Sequence, residues 1–343
     1  MCSEHGTAMR SVDIICPVFS EEEAISLFHA RLAAVMDELS PRYVVTVRYV
    51  LDPAPDATEL ILKSMAEKDS RVEVLVMSRR FGHQAALIAG IDASEADAVV
   101  MLDSDLQHPP ELIPELVKHW EDGADIVQMI RVSSAETHAV KRLTSNLFYQ
   151  TFFSIASLQL RQGAADFRLL SRNVADIFRT QIREQNPFLR GLVTWVGFRV
   201  HYLSFTPAGR DQGRSKYRFW TLLQFALNGL CSFSKWPLRF CTTAGLGLAI
   251  ISLLLAGLQV ILYLLGNVNV PGWASLFFIV SFFGGVQLFS IGVLGEYIGL
   301  IFDEVKGRPR YLINQRYRNR GPDQISGADV TNIQGRQGSN GAT

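Results

Sequence analysis

Residues 240–295 contain no charged side chain. A helix needs about 20 consecutive apolar residues to cross a bilayer core, so this stretch is long enough to cross twice. It reads as two spans, 240–265 and 274–302, joined by the uncharged turn NVNVPGW (267–273). Basic residues mark the cytoplasmic side of a span. Arg214, Lys216, Arg218, Lys235 and Arg239 precede the first span. Lys306, Arg308, Arg310, Arg316, Arg318 and Arg320 follow the second. The expectation is a multi-pass protein of the inner, cytoplasmic membrane, with both termini and the remaining chain in the cytoplasm. Just before the spans, FWTLLQFALNGLCSFS (219–234) places Phe219, Leu223, Ala226, Leu227, Leu230 and Phe233 on one face. That pattern predicts an amphipathic helix lying in the membrane interface.

The rest of the chain has an ordinary soluble composition. The 33 basic and 33 acidic side chains balance, so there is no global field for nucleic acid. The cysteines (Cys2, Cys16, Cys231, Cys241) are scattered and form no disulfide or zinc spacing. The N-terminal MCSEHGTAMR is polar, and the short apolar run after it carries Asp13; no secretory signal is expected. The tail from Gly321 is polar and glycine-rich, with the composition of a disordered segment.

Apolar runs at 12–19, 43–52, 72–78, 98–103 and 124–131 predict strands, with a further strand at 199–205. Helical spacing appears between them: Ile25, Phe28, Leu32, Val35, Met36 and Leu39 in the first helix, then segments at 84–93 and 110–120. Ser20 with Glu23, and Asp56 with Glu59, have the spacing of capping boxes. Such alternation predicts an α/β domain with a parallel-type sheet covered on both faces. In such sheets ligands bind beyond the carboxyl ends of the strands. VVMLDSDLQHPPEL (99–112) ends one of these strands in two acids. Residues two apart in an extended segment point the same way, so Asp103 and Asp105 converge. Two carboxylates at one point suit a hard divalent cation shared with a substrate diphosphate.

The chain resembles the family 2 glycosyltransferases that act on polyprenyl phosphates, a group that includes bactoprenol glucosyltransferases and dolichol-phosphate mannose synthases. The resemblance runs from Val12 to Leu312 and covers many ordered blocks. Among them are CPVFSEEE (16–23), SRRFGHQAALIAGID (78–92), LDSDLQHPPELIPEL (102–116), KRLTSNLFY (141–149), DFRLLSR (166–172), FLRGLVTWVGF (188–198), RDQGRSKY (210–217) and GEYIGLIFDEVKGRPRYLI (295–313). It implies a GT-A-like nucleotide-sugar-binding domain over 1–217. Beyond it would follow the interfacial helix (218–236), the two transmembrane helices (237–303), a basic cytoplasmic segment (304–320) and the tail (321–343). It also implies inverting transfer of a sugar from a nucleoside diphosphate to undecaprenyl or another polyprenyl phosphate, in a homo-oligomer.

By that resemblance, Pro17, Glu21, Asp52 and Gly82 line the nucleotide pocket. Asp103 and Asp105 hold Mg²⁺ or Mn²⁺ on the diphosphate, and Gln107 sits beside the sugar or the moving loop. Arg131, Arg142 and Ser145 receive the acceptor phosphate, and Arg210 and Lys216 close over phosphate. Asp166 is the candidate to orient the acceptor or act as a base. Arg168 reads as a structural salt-bridge partner, and His83 as a pocket-wall or capping residue. The family's Asp-Asp-Gly-Ser turn after the second strand is here Leu51-Asp52-Pro53-Ala54. Leucine cannot accept a hydrogen bond from a base N–H, and Pro53 and Pro55 stiffen the turn. Ser20 and Arg80 also stand where the family commonly has asparagine. These departures imply altered base or donor recognition; the alternative they raise is a non-catalytic nucleotide-binding membrane scaffold on the same fold.

Overall fold

The computed structural model describes residues 9–132, 161, 163–185, 187–206, 236–265 and 272–319. Within these, contacts divide the chain into a sheet unit, to which residues 309–319 belong, and a helical unit.

In the sheet unit, β1 (Arg10–Val18), β2 (Tyr43–Leu51), β3 (Val72–Met77), β4 (Ala98–Met101), β5 (Ile126–Arg131), β6 (Ala164–Ser171), β7 (Val200–Phe205) and β8 (Ile313–Arg318) form one eight-stranded sheet. Its order is β7-β5-β6-β4-β1-β2-β3-β8. The central strands β3, β2, β1 and β4 are parallel, in keeping with their largely apolar sequences. The sheet as a whole is mixed. β6 runs antiparallel between β4 and β5, and β8 runs antiparallel along β3. The expected α/β sheet with a parallel centre is present, and two strands add to it: DFRLLSR is an inserted reverse strand, and part of the basic segment 304–320 completes the sheet.

Two helical layers cover the sheet. Alternate residues Val12, Ile14, Cys16 and Val18 pack in one core with α1 (Ile25–Leu39), α2 (Thr58–Lys68) and α4 (Ile113–Glu121). On the other face lie α3 (His83–Ala93) and α5 (Arg172–Thr180). Here α3 comes so close that a Cβ on Gly90 would sit 2.3 Å from Ile15 Cγ2. A short α6 (Leu189–Trp195) follows.

Two local expectations change. The first helix starts at Ile25 without a side-chain cap. Ser20, expected to cap it, instead adopts φ 56 at the strand end. Asp56 does accept the Thr58 N–H at 3.3 Å, one position inside the expected box. The Pro110 segment opens as a 3₁₀ turn, Pro110–Leu112, before α4.

The helical unit contains α7 (Trp236–Leu264) and α8 (Trp273–Lys306). Both are long and apolar enough to cross a membrane, over Pro237–Leu255 and Phe282–Lys306. Gly307, at φ 59, ends α8 in the left-handed conformation that glycine adopts without a Cβ penalty. The predicted interfacial helix lies outside the described residues apart from its last residue, Trp236, which begins α7.

Candidate active site

The site is assembled by topology. Parallel strands β1 to β4 all deliver their carboxyl ends to one edge, and β6, running the other way, delivers its amino end there. Met101 of β4 pairs with Arg168 of β6. Continuing past that pair brings Asp103 level with Asp166.

Asp52 follows β2 and is 3% exposed. Its Oδ1 accepts the Phe81 N–H at 2.9 Å and its Oδ2 the Gly82 N–H at 2.8 Å. A buried carboxylate is tolerated where charge-assisted bonds satisfy it. Asp52 therefore braces the loop entering α3 and reaches the site through that loop. Gly82 has φ 96, a backbone conformation for glycine, and its carbonyl accepts the first α3 bond from Ala86. Leu51 is 1% exposed; the position that departs from the family's acid belongs to the apolar core.

The two aspartates sit beyond β4, both half-buried. Ser104 between them is buried and donates to the Pro17 carbonyl at 3.0 Å, tying the acidic turn to the end of β1. Asp103 Oδ1 lies 2.7 Å from His83 Nε2, and its Oδ2 lies 3.4 Å from His108 Nδ1. The Asp103 N–H donates to that same Nδ1 at 3.2 Å, which places the neutral His108 proton on Nε2. Burial pulls His108 below its ordinary pKa. For His83 burial also pulls down, but the hydrogen bond and charge of Asp103 outweigh it and raise the ring. His83, read from the sequence as a pocket-wall or capping residue, stands at the first position of α3 with its ring on Asp103.

Asp105 accepts from Gln107 twice, from the backbone N–H at 3.1 Å and from Nε2 at 2.5 Å. Gln107 Oε1 in turn accepts from Arg131 Nη1 at 3.4 Å. Leu106, between them, has φ 63. Such a conformation costs on the order of 1 kcal/mol or more in a non-glycine residue and is concentrated at functional sites. Glu21 completes the acidic edge. Burial, followed by the charges of Asp105, Asp56 and Asp103, pushes it up to about 7.

Asp166 is 5% exposed and is held by two arginines. Arg190 grips it with both ends, Nε to Oδ1 at 3.0 Å and Nη2 to Oδ2 at 2.7 Å. Arg168 Nη2 reaches Oδ1 at 2.8 Å. Burial alone would raise this carboxyl. The Arg190 hydrogen bonds and the charges of both arginines outweigh burial and hold it at about 2. Arg168 forms the salt bridge expected of it. Arg190, by contrast, was not singled out; its partner is 24 residues away and no local pattern links them.

Pro17, Glu21, Asp52, Gly82, Asp103, Asp105, Gln107, Arg131 and Asp166 are thus placed around one sheet edge. Arg142, Ser145, Arg210 and Lys216 lie outside the described residues. Among the described residues no three His, Cys, Asp or Glu side chains form a metal cage. The donor set, two carboxylates one residue apart beside a crowded acid, fits a hard cation that draws its other oxygens from substrate.

The family model for glycosyl transferase family 2 matches residues 13–178. The SfII prophage-derived bactoprenol glucosyl transferase of Shigella flexneri is 40% identical over 90% of this chain and 98% of its own length. The prophage bactoprenol glucosyl transferase homolog of Escherichia coli is 36% identical over 89% of this chain and 98% of its own. The uncharacterized glycosyltransferase sll0501 of Synechocystis is 38% identical over 88% and 94%. Mannosyl-3-phosphoglycerate synthase from Rubrobacter xylanophilus, a solved structure, is 14% identical and gives a TM-score of 0.45 over 65% of this chain and 73% of its own. On its matches to the family model and to these full-length relatives, the chain is a glycosyltransferase and belongs to glycosyltransferase family 2.

Proposed function

We propose that the protein transfers a sugar, with inversion, from a nucleoside diphosphate to undecaprenyl phosphate or a similar polyprenyl phosphate at the cytoplasmic face of the membrane. The observation that carries this reading is the gathering of Asp103, Asp105 and Arg131 at one sheet edge. This occurs in a chain about 40% identical to bactoprenol glucosyl transferases over nearly their full length.

The acceptor chemistry suits these residues. A phosphate monoester has a second pKa of about 6, so it is largely ionised near neutrality and needs no strong base. Asp166, held at about 2 by its arginines, is a poor proton acceptor; its part is to orient. The difficult charge is the one that builds on the leaving diphosphate. Bound at Asp103 and Asp105, Mg²⁺ or Mn²⁺ would supply Lewis-acid neutralisation of that charge. Arg131 supplies a cation for the acceptor phosphate, together with Arg142 and Ser145. Arg210 and Lys216 close over phosphate. Gln107 links Asp105 to Arg131, so the donor and acceptor sides share one hydrogen-bonded chain. Pro17, Glu21, Asp52 and Gly82 shape the nucleotide wall, Asp52 by holding the loop in place.

Connectivity supports both flanks of the helical pair lying on one side. The chain leaves the sheet unit, runs through α7 and α8, and returns to add β8 to the same sheet. Association as a homo-oligomer belongs to the same proposal.

The test is a transfer assay with purified full-length protein and undecaprenyl phosphate. It uses a panel of UDP-, GDP-, dTDP- and ADP-sugars, with Mg²⁺ and Mn²⁺ supplied separately. A lipid-linked sugar from at least one donor is expected. Nucleotide binding without product from any donor would contradict transfer and favour the scaffold reading.

A further inference from the structure

Two adjacent residues just before β8 hold both ends of one segment of the site, 78–92. At its start, the Ser78 N–H donates to the Leu312 carbonyl at 2.8 Å. At its end, Asp92 in the last turn of α3 accepts the Tyr311 hydroxyl at 2.8 Å. Arg183 Nη1 reaches both Asp92 oxygens, at 2.9 and 3.0 Å, and Arg310 Nη2 lies 3.8 Å from Oδ2. The Asp92 side chain is 8% exposed, so its charge is tolerated because it is paired. Arg310 Nη1 also donates to the Ile182 carbonyl at 3.4 Å, fixing the same stretch of chain beyond α5.

Between these two anchors lies the donor side of the site. The Phe81 and Gly82 N–H groups sit on Asp52, and His83 holds Asp103. Asp92 is nine residues beyond His83, about 14 Å along the helix. α3 has no slack against the sheet, since a Cβ at Gly90 would meet Ile15 Cγ2 at 2.3 Å. A close-packed element passes displacement on rather than absorbing it. Release at Asp92 is therefore felt at His83.

We propose that Tyr311 and Asp92 are positioning residues of this site: they clamp the far end of α3 and so keep His83 on Asp103 and the 78–82 loop in place. This rests on the functional reading above and deepens it. Both residues act on the donor only through His83 and the loop. Tyr311 lies four residues beyond Gly307, which ends α8. The donor side is therefore completed by the chain that returns from the apolar helices.

The experiment is hydrogen exchange, read by mass spectrometry on the full-length protein in detergent without ligand. Tyr311→Phe, which removes one hydroxyl, and Asp92→Asn should each speed exchange at least threefold in peptides covering 79–88. Exchange in α1 and the Tm should stay as in wild type. Faster exchange confined to peptides around 90–94 and 310–318 would make the contact purely local and overturn the proposal. Faster exchange everywhere, α1 included, would make it a general stability contact and likewise overturn it. In the transfer assay, the donor KM should rise at least threefold in both variants, with KM for undecaprenyl phosphate unchanged. An unchanged donor KM in both overturns the proposal. The predicted exchange pattern in a wild-type protein that transfers no sugar would contradict the functional reading and leave the clamp standing.

Discussion

Single carboxylates carry most of the site, and each is made useful by a different neighbour. Asp52 answers two backbone N–H groups. Asp52→Ala would leave both without that acceptor, at about 1–3 kcal/mol each. A stability loss of roughly 2–4 kcal/mol in denaturant titration is expected, with Asp52→Asn, which keeps one acceptor, losing less. Glu21 behaves oppositely. Its folded-state carboxyl is raised by burial and by Asp105, Asp56 and Asp103 from 4.5 to about 7. A raised acid binds more protons folded than unfolded, so stability falls as pH climbs from about 4.5 to about 7. Tm measured across that window should decline, and Glu21→Gln should flatten the decline. A wild-type profile as flat as that of the variant would show that Glu21 is not crowded by acids. Asp166 has the reverse sign: its contribution is complete above the unfolded carboxylate range and is lost as pH falls toward about 2.

Among the elements, β8 matters most for how the chain is put together. It lies against β3 with Val74 opposite Tyr317 and Leu75 opposite Arg316. A row of charges crosses the sheet beneath it: Asp13, Arg48, Glu73 and Arg316 pair in sequence across β1, β2, β3 and β8. Glu73 is fully buried. Breaking a buried pair by removing one partner costs about 3–5 kcal/mol, because a charge is left uncompensated. Glu73→Gln should therefore lower stability by roughly that amount. Deleting residues 313–319 should expose β3 as an edge and promote aggregation, read by size-exclusion chromatography in detergent. A monodisperse, fully stable deletion would contradict this role for β8.

The same element marks where sequence reading stops. β1, β2, β3 and β4 were legible because each is a nearly unbroken apolar run, the pattern of a strand buried on both faces. β8 reads INQRYR, polar and largely exposed. Its partner Glu73 is 243 residues away, and no local periodicity encodes such a pairing. β6 was obscured for a related reason, since its reverse direction is set by neighbours on either side. Asp103 and Asp105 were legible because their chemistry lies within three residues. The Arg190 grip on Asp166 and the His83 contact with Asp103 arise only once the strand ends are gathered.

At the scale of the whole molecule, a sheet domain leads into a pair of apolar helices, and the chain then returns to add β8 to the same sheet. If both helices span, both flanks share a compartment, and the turn between them faces the other side. A cysteine placed at Asn269, in a Cys-free background, should react with an impermeant maleimide added outside spheroplasts; one at Asp303 should not. Labelling of Asp303 alone would invert the proposed topology. Under the proposed function, Asp103 and Asp105 together make sugar transfer to a polyprenyl phosphate possible. The decisive measurement follows formation of the lipid-linked sugar by wild-type, Asp103→Asn and Asp105→Asn proteins, with divalent cation and with chelator. Product should fall by at least a hundredfold in each variant and in the chelated wild type, with Tm little changed. Wild-type rates in Asp105→Asn, or with chelator present, would contradict it.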